Sequence, residues 1–271
     1  LPILGSIKGK KMNTVRTPAV AGMFYPDNAN ELRMMVRNFL NEPKVSNEPV
    51  PKAIIAPHAG YIYSGPIAAS VYARLVPAHD TINRVILLGP SHRVSFPGLA
   101  ATGMTHFVTP LGTIRVDRID EITSFPQVSV LEQAHTNEHS LEVQLPFLQA
   151  VLDDFSFIPL VVGEASPEQI EPVLEKLWGG SETVIVISSD LSHYHDYETA
   201  KKMDQLTSQA IENLRPEAIH HEQACGGNPV NGLLQIARRK KMHAKTIDLR
   251  NSGDTAGQKN QVVGYGAYVF N

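Results

Sequence analysis

Hydrophobic positions along this chain follow two rhythms. Short unbroken apolar runs occur at "AIIAP" (53–57), "RVILLGP" (84–90), "FIPLVVG" (157–163), "TVIVISS" (183–189) and "VVGYGAYVF" (262–270). Unbroken runs, unlike alternating ones, suit strands covered on both faces. In "DNANELRMMVRNFL" (27–40), by contrast, Leu32, Met35, Val36, Phe39 and Leu40 recur at helical intervals behind polar caps. Residues 64–75, with a serine cap and an early proline, also read as a helix, as do 138–152, 167–178, 198–214 and 229–240. Strand then helix, repeated, predicts a three-layer α/β fold with a central, mostly parallel sheet flanked by helices. The segment 41–52 is a turn-rich connection, and no internal repeat or long linker divides the chain. One domain over 12–271 is expected, with Met12 as a natural start and residues 1–11 as a remnant or disordered extension.

Composition narrows the class. The 271 residues are 42% hydrophobic and 19% charged, as in an ordinary globular protein. A formal charge of -3 gives no electrostatic reason to expect nucleic acid or an anionic membrane as partner. One cysteine excludes an intrachain disulfide, and no apolar stretch approaches the length of a membrane span. These features together predict a cytoplasmic protein.

In a parallel sheet flanked by helices, ligands bind beyond the carboxyl ends of the strands. Four segments place reactive groups there: His58 after "AIIAP", Ser91 and His92 after "VILLGP", Ser188, Ser189, Asp190, His193 and His195 in "VIVISSDLSHYH", and Cys225 in "QACGGNPVNGLL". Each alone has a plain reading, as a turn residue, a helix cap or a small buried hydrophobe. Their recurrence after separate strands points instead to one shared site. A thiolate with two imidazoles suits zinc, iron or copper, and three protein ligands leave a position open, as catalytic sites do. His58, His92 and Cys225 form the most economical metal triad, with His193 and Asp190 left to move protons or orient a bound group. In "TNEHSLEVQLPFL" (136–148), a helix would put Glu138 and Glu142 on one face, with His139 three residues before Glu142. An acidic helix start is the simpler account of that cluster; the alternative makes His139 or Glu142 a partner that orients a ligand imidazole.

At this point the sequence resembles the Memo family, whose prokaryotic members are also called AmmeMemoRadiSam system protein B. The resemblance runs from about Arg16 to Phe270 through "AGMFYP", "AIIAPHAGYIYSG", "LLGPSH", "TPLGTIRVD", "NEHSLEVQLPF", "IPLVVG", "VISSDLSH", "ACGGNPVNGLL" and "GYGAYVF". It implies a fold like the class III extradiol, LigB-type, non-haem iron dioxygenases. It also implies metal positions at His58, His92 and Cys225, with Asp190 and His193 lining the same pocket and His193 in an acid/base place. His195 has no such warrant. Where those dioxygenases hold iron through two histidines and a carboxylate, this pattern has cysteine, so dioxygenase activity does not follow from the fold. The expectation is a redox-active iron or copper site, zinc being the third candidate, that takes a small molecule or peptide. The alternatives are a non-catalytic adaptor or metal-handling module using the same pocket, and a metal-free Cys225 nucleophile with the Gly226 and Gly227 amides as oxyanion donors. The prokaryotic name further implies radical-SAM and AMMECR1-like partners.

Overall fold

The computed structural model describes residues 15–43, 47–117 and 119–271. The expected start at Met12 and the extension over 1–11 lie outside the described residues. In chain order, β1 (Val15–Arg16) and α1 (Ala29–Asn41) precede β2 (Ala53–Ala56), α2 (Tyr61–Tyr72) and β3 (Arg84–Pro90). Four short strands follow, β4 (Leu99–Ala101), β5 (His106–Thr109), β6 (Gly112–Val116) and β7 (Val128–Val130), then the short helix α3 (Glu132–Thr136). Next come α4 (Leu145–Val151), β8 (Ser156–Val162), α5 (Pro167–Leu177), β9 (Thr183–Ser188) and β10 (His193–His195). Helices α6 (Tyr197–Glu212) and α7 (Gly227–Arg239) and strands β11 (Ala244–Asn251) and β12 (Val262–Phe270) complete the order.

The sheet runs β1-β5-β6-β8-β3-β9-β2-β12-β10. Its centre, β6-β8-β3-β9-β2, is parallel, while β12 joins β2 antiparallel and β11 joins β12 antiparallel. The unbroken apolar runs have the cause expected of them. Successive residues of one strand enter opposite cores: Ile54, Val85, Leu87, Val184 and Val186 on one face, Ile55, Ile86, Leu88, Ile185 and Ile187 on the other. Helices α1, α2 and α4 cover the first face and α5 and α7 the second, through residues such as Leu32, Ile67 and Phe147 and Ile170, Leu233 and Leu234. The single α/β domain and its mostly parallel sheet are therefore as predicted.

Two helices differ from their predicted bounds. The one expected over 64–75 starts at Tyr61, behind Gly60, so Ser64 is no cap; its hydroxyl donates to the Ala59 carbonyl instead, at 2.9 Å. The one expected over 138–152 is a loop and a 3-10 turn (Glu142–Gln144), with α4 beginning only at Leu145. Pro146 is tolerated in a first helical turn, where its missing N–H costs nothing, and this marks the true start. Upstream, the Glu138 carboxylate accepts from the backbone N–H groups of His139 and Ser140, both at 2.9 Å, an arrangement that competes with a helix. Glu138 and Glu142 thus do not share a helix face.

Glu142 has another task. Fully buried, it accepts from the Arg16 guanidinium (2.8 Å), the Tyr25 hydroxyl (2.6 Å) and the backbone N–H groups of Ala19 (2.8 Å) and Val20 (3.0 Å). Arg16, also buried, donates further to the carbonyls of His135 (2.7 Å) and Glu138 (2.6 Å), and its guanidinium lies over the Phe107 ring. The pair ties the first strand to the segment 135–142. His135 is buried beside it, its Nε2–H donating to the Ala100 carbonyl at 3.0 Å while Nδ1 has no partner among the described residues. Burial pushes the His135 imidazole down to about 4, against the pull of the Ala100 carbonyl and of Glu132.

Replacing Glu142 by alanine strands a buried guanidinium, and urea unfolding is expected to register a loss of about 3–5 kcal/mol. The paired change Arg16→Met with Glu142→Leu is expected to cost far less, because it leaves no unpaired charge. The depressed His135 gives a second expectation. Its folded-state value lies below the unfolded one of about 6.5, so its contribution is complete above that pH and is lost as pH falls toward 4. Stability of a His135→Asn variant, followed by denaturant titration between pH 4 and 7, should therefore fall less steeply with acid than that of the parent, by about one proton of slope. Equal slopes would show that His135 is protonated without cost.

Candidate metal centre

Three neighbouring parallel strands, in the order β3-β9-β2, each deliver a reactive side chain two residues beyond their last position: His92, Asp190 and His58. The strands are buried along their whole apolar length, so these three side chains leave a rigid edge.

His58 is buried, and its ring nitrogens have distinct partners. Nδ1 lies 2.8 Å from the Ser188 hydroxyl. That hydroxyl donates its own proton to the Ser140 carbonyl (2.6 Å) and accepts from Gln144 Nε2 (2.7 Å). Gln144 cannot be turned round: Nε2 also donates to the Pro57 carbonyl (3.0 Å), and Oε1 accepts from the Tyr72 hydroxyl (2.8 Å). Ser188 can therefore only accept from His58, which puts the imidazole proton on Nδ1 and leaves a bare lone pair on Nε2. Burial, then the nearby His92, His139 and His193 rings, holds this imidazole well below its ordinary value, so it is neutral at pH 7.

His92 is fixed by a different device. Glu138 accepts from its backbone N–H (2.6 Å) and from ring Nδ1 (2.8 Å), again leaving Nε2 free. Burial alone would raise the Glu138 carboxyl, but the hydrogen bonds from His92 and Ser140 hold it at about 2. A carboxylate on the far nitrogen is the usual support of a metal-binding histidine. The loop carrying Glu138 presses close on β3: a Cβ at Gly89 would meet Ser140 Oγ at 2.8 Å, and that hydroxyl donates to the Pro90 carbonyl at 2.9 Å. His139 follows on the same loop. Its ring stacks on His92 with centroids 4.5 Å apart and packs against Phe24 at 4.8 Å. Burial lowers it to about 4, helped by His92 and Arg93 and opposed by Glu138.

The nitrogens of His58, His92 and His139 converge, each residue offering one ligand atom within 4.8 Å of the others. The expected His-His-Cys set is thus corrected: the group that the geometry gathers is three histidines, with Cys225 outside it. Cys225 is nonetheless adjacent, its Sγ 3.4 Å from His58 Nε2 and 3.7 Å from the Asp190 carbonyl. Ser189 Oγ accepts from the Gly226 N–H at 3.0 Å, and a Cβ on Gly226 would strike the Ser188 carbonyl at 2.7 Å, so the cysteine loop is clamped to the end of β9. Burial, then the Asp190 charge, pushes the Cys225 thiol far up, so without a cation beside it the sulfur stays protonated. That works against a thiolate nucleophile acting alone.

Asp190 accepts from the His58 backbone N–H at 2.7 Å, and burial raises its carboxyl above the usual range against the pull of His193. His193 takes its orientation elsewhere, from the Leu191 carbonyl 2.8 Å from Nδ1, which leaves Nε2 unprotonated when the ring is neutral. Its neighbour Tyr194 has φ 61°, a left-handed backbone that an aromatic residue rarely adopts, and its ring is exposed. His58, His92, His139, Asp190, His193 and Tyr194 all line one cavity of about 610 Å³. His195, on the same short strand as His193, is not among its lining residues. The pattern of strand ends found His58, His92, Asp190 and His193. In the sequence His139 reads as a supporting residue at most, and Glu138, the actual support of His92, as half of a helix face. No helix among the described residues is long and apolar enough to cross a membrane.

The chain matches the family model for Memo-like protein over residues 16–269. It is 37% identical over 272 residues to a MEMO1 family protein of Aquifex aeolicus, covering 94% of this chain and 99% of the relative. A MEMO1 family protein of Metallosphaera sedula is 35% identical over 282 residues, and one of Archaeoglobus fulgidus 35% over 269, each with 94% and 99% coverage. A match along nearly the whole length of both partners, through the segments that build the histidine cluster, places this chain in the Memo family.

Proposed function

We propose that the histidine cluster is the metal site of a redox enzyme, with iron or copper as the ion. The observation that carries this reading is the convergence of three imidazoles, two of them with Nδ1 protons tied to Ser188 and Glu138 and so with unprotonated Nε2 atoms, that of His58 facing the Cys225 sulfur. Imidazole donors suit iron, copper and zinc alike, and the neutral state of His58 and His139 means that no proton need leave them before a cation is bound. His58 and His92 would anchor the ion and His139 would complete the group. Cys225 would join as thiolate on loading, because a cation beside it offsets the burial that keeps its proton. Bound iron or copper would supply one-electron chemistry to a small molecule in the cavity.

The remaining roles fall to this chain's own groups. His193, which lines the cavity with its Nδ1 on the Leu191 carbonyl, would take a proton from a bound molecule at Nε2 and return it. Asp190 keeps the His58 backbone in place by accepting its N–H. The relation to non-haem iron dioxygenases belongs to this proposal and extends to the class of chemistry, not to a substrate.

Protein purified anaerobically, without chelator or affinity metal, is expected to carry iron or copper at about one ion per chain by mass spectrometry. The double change His58→Ala with His92→Ala should abolish it. Zinc in place of iron or copper would refute the redox part, and full occupancy in the double variant would refute the site. Glu138→Gln tests the support of His92, and metal affinity from chelator competition should fall about 10–100-fold with the fold intact. Reloading the parent protein should release about one proton more than reloading Cys225→Ser, measured by pH indicator; equal release would remove Cys225 from the donor set.

A further inference from the structure

A second cavity, of about 460 Å³, shares His92 with the first. Its lining includes His92, Arg93, Glu164, His221 and Cys225. Two of these residues belong to the metal proposal. His92 lines both cavities, and the Cys225 sulfur lies 3.4 Å from His58 Nε2, so the second cavity borders the same centre.

Arg93 is the residue without an evident structural task. It is exposed, it directly follows His92, and among the described residues it makes no ion pair. An exposed arginine is ordinarily a solvated surface group, and most carry no function. This one lines a concave wall beside the reacting centre, close enough to His139 for its charge to act on that ring. A guanidinium presents a planar fork of donors that matches a carboxylate with two parallel hydrogen bonds. His221, in the same lining, adds a ring nitrogen able to donate. Glu164 stands in the lining too, and its negative charge works against a doubly charged anion such as phosphate more than against a single carboxylate.

We propose that this second cavity is a recognition subsite for the carboxylate of a small organic acid, held by Arg93 with His221, while the rest of that molecule extends past His92 to the histidine cluster. The proposal rests on the cluster being the reacting centre. Arg93 is then a specificity-determining residue: it selects acids over their neutral counterparts and sets which end of the substrate faces the cluster.

The test is a titration with propanoate, propanamide and inorganic phosphate, following the ring signals of His92 and His221 by NMR in metal-free and iron-loaded protein. Propanoate is expected to shift both rings saturably and propanamide to leave them in place. Arg93→Gln should weaken the propanoate response about tenfold or more with the rest of the spectrum unchanged. An equal response to propanoate and propanamide, or an Arg93→Gln variant that binds propanoate as the parent does, overturns the proposal. Tighter binding of phosphate than of propanoate overturns the choice of a carboxylate. The metal-free arm stands even if the protein proves to carry no iron or copper, so failure of the subsite and failure of the metal reading are told apart.

Discussion

The buried ion pair between Arg16 and Glu142 is the constraint on which the candidate site depends. A guanidinium and a carboxylate removed from water are costly unless every donor and acceptor finds a partner. Here Arg16 donates to Glu142 and to the carbonyls of His135 and Glu138, while Glu142 also takes the Tyr25 hydroxyl and two backbone N–H groups. The result holds the segment 135–144 in a single irregular path. That segment supplies the Glu138 carboxylate to His92, the Ser140 carbonyl and the Gln144 amide to Ser188, and His139 to the cluster. Two imidazoles are therefore given their tautomers by one loop, and the loop is given its shape by one ion pair.

The sheet does the complementary work. Strands buried on both faces cannot slide without moving side chains between two cores, so their carboxyl ends are fixed relative to one another. His58, His92 and Asp190 take their positions from those ends. Orientation comes from polar partners and position comes from packing; neither alone would gather three imidazoles at one point. The same buried surroundings keep the Cys225 thiol protonated, which makes a nearby cation the natural condition for its ionisation.

Much of this was legible in the sequence because burial on both faces leaves a mark there. The runs at 53–57, 84–90, 157–163, 183–189 and 262–270 all became strands. A histidine or aspartate directly after such a run inherits a predictable place. The apolar spacing of segment 138–152 satisfies a helix, while the competing interaction joins Glu138 to His92 across 46 residues. No local pattern reveals such a contact. The same holds for His139, whose neighbours in the cluster come from distant strands. Strands β4 to β7 escaped notice because each spans only three to five residues and draws its stability from pairing with its neighbours.

The claim that the three histidines form a metal centre is tested most directly by anomalous diffraction at the iron absorption edge from crystals of iron-loaded protein. The account predicts one anomalous peak within bonding distance of His58 Nε2 and His92 Nε2, with Glu138 still on His92 Nδ1 and Ser188 still on His58 Nδ1. A peak elsewhere on the molecule, with these imidazoles uncoordinated, would contradict it.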